Sequence, residues 1–228
     1  MSLSVPAKAV TGALVGGTVA TGGSLLYKEL SKPQTHLIKD LLALNNPEKR
    51  LISTSDAGST TEWRASWKEY RSAYKGKANN PFSMTSEQLN VTGDNVDAPT
   101  EFINVCRSLS TESVIDNKDD RYKTILSYCT RDTLVSDLIK ETSVRSLLVK
   151  GSDFTNNAEW KRVWGSYKEA NKTLNQDEWN LGTWSTLKNQ DNVPDALATQ
   201  CDSKSKVKEH KLNSKTYTDV LKYCTKAE

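Results

Sequence analysis

One pattern occurs twice in this chain, and nothing else in the sequence restricts the fold as much. A step of 97 residues carries Leu51 onto Leu148, Ser55-Asp56 onto Ser152-Asp153, Glu62-Trp63 onto Glu159-Trp160, Trp67 onto Trp164 and Tyr70 onto Tyr167. The same step carries Phe82 onto Trp179 and Asp94-Asn95-Val96 onto Asp191-Asn192-Val193. Asp97-Ala98 then has no counterpart and the step becomes 95, which matches Pro99 with Pro194, Cys106 with Cys201 and Tyr122 with Tyr217. Leu126-Ser127-Tyr128-Cys129-Thr130 falls on Leu221-Lys222-Tyr223-Cys224-Thr225. The coincidences include four of the six Trp and all four Cys, and rare residues seldom coincide by chance. The spacing predicts two tandem homologous units, 31–130 and 131–228, behind an N-terminal segment, 1–30. A unit of about 95 residues can bury a modest core of its own, and packing against its neighbour would add to it.

Within a unit the periodicity is helical, so the expected fold class is mainly α, two helical bundles in tandem. Leu37, Ile38, Leu41, Leu42 and Leu44 have helical spacing up to the stop at Asn45-Asn46-Pro47, and Leu134, Val135, Leu138 and Ile139 are their counterparts. A short apolar stretch follows (Leu51-Ile52, or Leu147-Leu148-Val149). A polar loop then supplies N-caps for a second helix. That helix carries Trp63, Trp67, Tyr70 and Tyr74, or Trp160, Trp164 and Tyr167, as a single stripe. Gly76–Asp97 and Asn171–Val193 read as mostly loop. Pro99 and Pro194 suit the first turn of a third helix. A fourth helix carries Tyr122, Ile125, Leu126 and Cys129, or Tyr217, Val220, Leu221 and Cys224, on one face.

Cys106 to Cys129 and Cys201 to Cys224 are the same 23-residue step. The simplest reading is one disulfide per unit, joining the third helix to the fourth, in an oxidising compartment. Buried free thiols are the alternative. Zinc would need closely paired ligands, and neither pair has them. His36 and His210 do not align with one another or lie near a cysteine.

Ala9 to Tyr27 contains no charged residue and is bracketed by Lys8 and Lys28. As a helix it would rise about 28 Å, just enough for a hydrocarbon core of roughly 30 Å. Five glycines between Gly12 and Gly23 make it a poor filler for a globular core. Two export readings fit: a signal peptide cut near Ala20-Thr21-Gly22, or an uncleaved membrane anchor packing on Gly12 and Gly16. A Gly-rich leader on a cytosolic protein is the remaining reading.

The catalogue of chemistries is mostly one of exclusions. The chain is 36% hydrophobic and 26% charged, too polar for a multi-pass membrane protein. Its net charge of +3 gives no electrostatic reason to expect nucleic acid as a partner. Gly12 to Gly17 has phosphate-loop glycine spacing, but Thr18-Val19 stands where lysine and a hydroxyl are required. Asp119-Asp120 and Asp177-Glu178 read as solvated acids, not catalytic pairs. No catalytic residue, metal ligand or cofactor is therefore expected. Lys204, Lys206, Lys208, Lys211 and Lys215 read as a solvated face, with an anionic surface as the sharper alternative. Asn90-Val91-Thr92 and Asn171-Lys172-Thr173 match the glycosylation sequon. The aromatic stripes read as core. Trp184 aligns with Glu87 in a Gly-containing loop, which makes it the aromatic expected to be exposed for binding.

The leader segment Ala13-Leu14-Val15-Gly16-Gly17, the stretch Pro47-Glu48-Lys49-Arg50-Leu51-Ile52, the Trp63-x3-Trp67-x2-Tyr70 pattern and the block Tyr128-Cys129-Thr130 are shared features. On them the chain resembles the large paralogous surface or secreted protein families of haemotropic mycoplasmas. The resemblance covers most of the chain. It implies many copies per genome, surface exposure or secretion, and a role in antigenic variation or host-cell contact, with no catalytic residues to carry over. Two functions follow as expectations. One is a non-enzymatic protein displayed on the surface or secreted, with the membrane reached through the N-terminal segment and a host-cell surface or immune molecule as partner. The other is a small-ligand-binding protein or hydrolase with a cleft between the units, which acids convergent with His36 or His210 would favour.

Overall fold

Apolar residues at helical spacing, interrupted by Pro, Gly and Asn, fold this chain into short helices stitched by very short strands. A computed structural model describes residues 34–142 and 144–227. The expected leader, 1–30, lies outside the described residues. From Thr35 onward the chain packs as one compact body. It opens with β1 (His36–Leu37) and α1 (Ile38–Asn45), then β2 (Lys49–Leu51), α2 (Thr61–Tyr74), α3 (Ser86–Asn90), α4 (Thr100–Ser110), β3 (Ser113–Val114), α5 (Asp120–Tyr128) and β4 (Thr130–Asp132). It continues with α6 (Val135–Thr142), β5 (Arg145–Leu147), a 3-10 turn (Phe154–Asn156), α7 (Ala158–Asn171), α8 (Trp184–Leu187), α9 (Asp195–Ser205), α10 (Lys215–Tyr223) and β6 (Thr225–Ala227). The fold is mainly α.

Several helices start at a residue whose side chain caps the first turn. Asn157 caps α7 by accepting the Glu159 and Trp160 amides, Ser214 caps α10 through Tyr217, and Thr85 with Gln88 closes a capping box on α3. Pro99 and Pro194 sit one residue outside α4 and α9, in extended backbone, as N-caps and not inside the first turn.

Among the described residues the sheets are three antiparallel pairs of two strands: β1 with β3, β2 with β4, and β5 with β6. Their registers correct the sequence alignment locally. Leu51 lies opposite Thr130, and Leu147, not Leu148, lies opposite Thr225. The tryptophan indoles report the same shift: Trp63 Nε1 donates to the Ser53 carbonyl at 3.0 Å, and Trp160 Nε1 to that of Val149 at 3.3 Å. The step is therefore 96 in these strands, with the extra residue taken up in the polar loop before α7.

Among the described residues two separate hydrophobic clusters form. One draws on residues from Ile38 to Cys129, the other on residues from Val135 to Cys224. The stripe on α2 and the stripe on α7 sit at their centres, with Trp63, Trp67, Tyr70, Trp160, Trp164 and Tyr167 all buried. Burying one such ring removes roughly 150–250 Å² from water, about 4–6 kcal/mol before conformational entropy is charged against it. Leu44 departs from the expected stripe and is 77% exposed, because it lies about 200° round the helix from Leu42.

Candidate functional site

The four cysteines form two disulfides. Cys106 on α4 bonds to Cys129 at the end of α5, with Cα atoms 5.6 Å apart. Cys201 on α9 bonds to Cys224 at the end of α10, with Cα atoms 5.4 Å apart. All four are buried, so each bond staples two helices inside a hydrophobic cluster. Closing a loop of this length stabilises a fold by roughly 3 kcal/mol.

Within each cluster a tyrosine hydroxyl organises the loop after the aromatic helix. Tyr70 donates to Asn80 Oδ1 at 2.6 Å and accepts the Phe82 amide at 2.8 Å. Tyr167 donates to Asp177 Oδ2 at 2.7 Å and accepts the Trp179 amide at 2.8 Å. Burial drives both phenols well above the usual tyrosine range. Asp177 therefore belongs to the interior. The expectation of a solvated acid fails there, because its oxygens accept the Tyr167 hydroxyl, the Leu181 amide and the Gln176 side-chain amide. The aligned residues Asn80 and Asp177 were the visible signal, since both offer an acceptor oxygen at the same step.

Trp184, expected to be exposed, is 1% accessible. The reason is packing. In the first cluster Phe102 fills the space among Trp67, Tyr70 and Phe82, with ring centroids 5.0 to 5.2 Å away. The aligned residue in the second cluster is Leu197, which has no ring. Trp184 supplies one instead, edge-on to Trp164 and Tyr167 at 6.1 Å, with its Nε1 donating to the Asn171 carbonyl at 3.2 Å. Asn171 of the second sequon is also buried, its amide bonded to Tyr167 and Glu178 backbone atoms. Asn90 of the first is exposed.

The lysine run is mostly engaged locally. Lys206 pairs with Asp202 and Lys215 with Asp219 and Glu178, while Lys204 lies over the Trp179 ring.

Where residues 130–134 pass from one cluster to the other, a groove of about 540 Å³ opens, with Lys49, Glu62, Glu69, Arg131, Asp132 and Lys208 among its lining. Three of these charges are spent on each other. Lys208 and Lys49 both reach Asp132, at 2.6 and 2.7 Å, and hold its carboxyl below the usual range. Arg131 grips Asp137 with two bonds of 2.6 and 2.8 Å. Neither His36 nor His210 lines the groove, so the convergence that would favour a ligand cleft or hydrolase is not assembled there. Among the described residues no group of three or more His, Cys, Asp or Glu is placed to hold a metal ion.

No protein-family profile matches the chain, and no curated protein or solved structure matches it either.

Proposed function

We propose that this chain is a non-enzymatic protein, displayed on a cell surface or secreted, built from two homologous disulfide-stapled helical units. The observation that carries the reading is that all four cysteines are consumed in two bonds, which suits an oxidising, extracellular setting. The rigid clusters act as a scaffold, and the exposed residues of 76–97 and 171–193 are the surfaces offered to a host-cell or immune partner. Export or anchoring is assigned to the N-terminal 30 residues. No helix of the described residues is long and apolar enough to cross a membrane.

The test is the intact mass of the native protein, unreduced, after alkylation of free thiols. No alkylation, with either a full-length chain or one lacking about 22 residues, supports an exported protein, anchored in the first case and cleaved in the second. Four alkylated thiols on a full-length chain would overturn the reading.

A further inference from the structure

We propose that the two ends of this molecule are complementary and that copies of the chain join end to end through the contact that joins its own halves. The proposal rests on the reading of two like units, and it begins with how those halves meet. β4 pairs with β2 as β6 pairs with β5, so the first half runs through Asp132, two residues past the boundary expected from the sequence, and four cross-junction relationships carry the contact. Arg131 binds Asp137, Arg50 binds Glu141 through two bonds of 2.8 and 2.9 Å, and Lys208 binds Asp132. Glu48 and His210 make the fourth. The Glu48 carbonyl accepts the Thr133 amide at 2.8 Å and the Thr133 carbonyl accepts the Glu209 amide at 2.9 Å, which brings His210, the residue after Glu209, within electrostatic range of the Glu48 carboxylate.

The observed registers say which residues hold the same places at the free ends. Lys49 opposite Asp132 corresponds to Arg145 opposite Ala227, so Val144 stands for Glu48, Ser146 for Arg50 and Lys226 for Arg131. The amide of Ile38 donates to the Glu112 carbonyl as that of Val135 does to Val207, so Asp40 stands for Asp137, Leu44 for Glu141, Ser113 for Lys208 and Ile115 for His210.

Substituting those equivalents into the junction gives four new pairs between two copies. Arg131–Asp137 becomes Lys226–Asp40, which keeps its opposite charges. Glu48–His210 becomes Val144–Ile115, where a polar pair is replaced on both sides by an apolar one. Arg50–Glu141 becomes Ser146–Leu44, and Asp132–Lys208 becomes Ala227–Ser113, each neutral on both sides. No position sets a charge against an apolar residue or against its own sign, although the two ends are far apart in sequence. The same equivalences account for three large hydrophobics left in solvent: Val144 at 83%, Leu44 at 77% and Ile115 at 56% exposure. Asp40 and Lys226 are exposed as well. A contact of this kind is head to tail, so it leaves a free end on each side and extends with concentration.

Sedimentation velocity on the purified full chain, disulfides intact, tests this. The weight-average mass is expected to rise with protein concentration. Asp40→Lys or Lys226→Asp alone should weaken association about tenfold, and the two together should restore it. All of these positions are on the surface, so the variants stay folded, which circular dichroism checks. A monomer at every concentration would overturn the proposal, whether or not another segment of the chain covers the Asp40 end. Association indifferent to both charge changes would overturn it too, by placing the contact elsewhere. An experimental structure separates this from the underlying reading. If 38–129 does not superpose on 135–224, the two-unit reading falls and the equivalences fall with it. If the halves superpose and the charge exchange fails, only the end-to-end contact is lost.

Discussion

The Tyr167 hydroxyl sits 2.7 Å from the Asp177 carboxylate and holds the Trp179 amide at 2.8 Å on its other side, inside the core. Ninety-seven residues earlier Tyr70 does the same with the neutral Asn80 and with Phe82. What both sites need is an acceptor oxygen for the tyrosine and for the amide of Leu181 or Met84. Negative charge is incidental to that task. Asp177→Asn should therefore change stability by less than about 1 kcal/mol, whereas Tyr167→Phe, which orphans the buried Trp179 amide and takes one donor from Asp177, should cost about 1–3 kcal/mol. Urea unfolding of the two variants decides it, and a larger loss for Asp177→Asn would show that the charge matters.

Trp184→Ala should destabilise the second cluster by about 3–5 kcal/mol, as removal of a fully buried ring does. Trp184→Phe should cost much less, because it keeps an edge toward Trp164 and Tyr167. Thermal unfolding followed by circular dichroism measures both. A Trp184→Ala protein as stable as the parent would mean that the indole stands in solvent after all.

The mistaken expectation for Trp184 shows what a repeat can and cannot reveal. Trp63, Trp67 and Tyr70 were legible as core because helical spacing places them on one face and the second copy repeats them. Trp184 was opaque because its role is compensation: it fills in the second cluster a space that Phe102 fills in the first, from a different stretch of chain. Linear alignment pairs residues by position, whereas packing pairs them by volume. The strands were missed for another reason. Strands of two or three residues have no alternation to detect, and their pairing joins segments about 80 residues apart. The cysteine spacing, by contrast, was informative because the same 23-residue step occurs twice, and each step is closed by one local bond.

Replacing Cys201 and Cys224 by Ala together should lower stability by roughly 3 kcal/mol, and the same change at Cys106 and Cys129 should do likewise. The bonds lie in separate hydrophobic clusters, so amide exchange should speed up mainly in 135–224 for the first pair and in 38–129 for the second. Hydrogen exchange read by mass spectrometry distinguishes this from uniform loosening, which would show that the clusters unfold as one.

Acid should act at the junction between the clusters. Burial raises the Asp137 carboxyl, but the two Arg131 bonds and the Leu134 amide outweigh it, and the net position is below the usual carboxylate value. A carboxyl depressed in the folded state contributes stability above its unfolded value of about 4 and loses it as pH falls through the folded value. Asp137→Asn removes this contribution at every pH. The stability gap between the parent and Asp137→Asn should therefore be constant from about pH 5 to 7 and close as pH drops below 4. Urea midpoints measured across that range give the gap directly. A gap that stayed constant down to pH 2 would mean that Arg131 and Asp137 do not pair in solution, and that the link between the halves is carried by the backbone bonds of Thr133 to Glu48 and Glu209 and by Arg50–Glu141 instead.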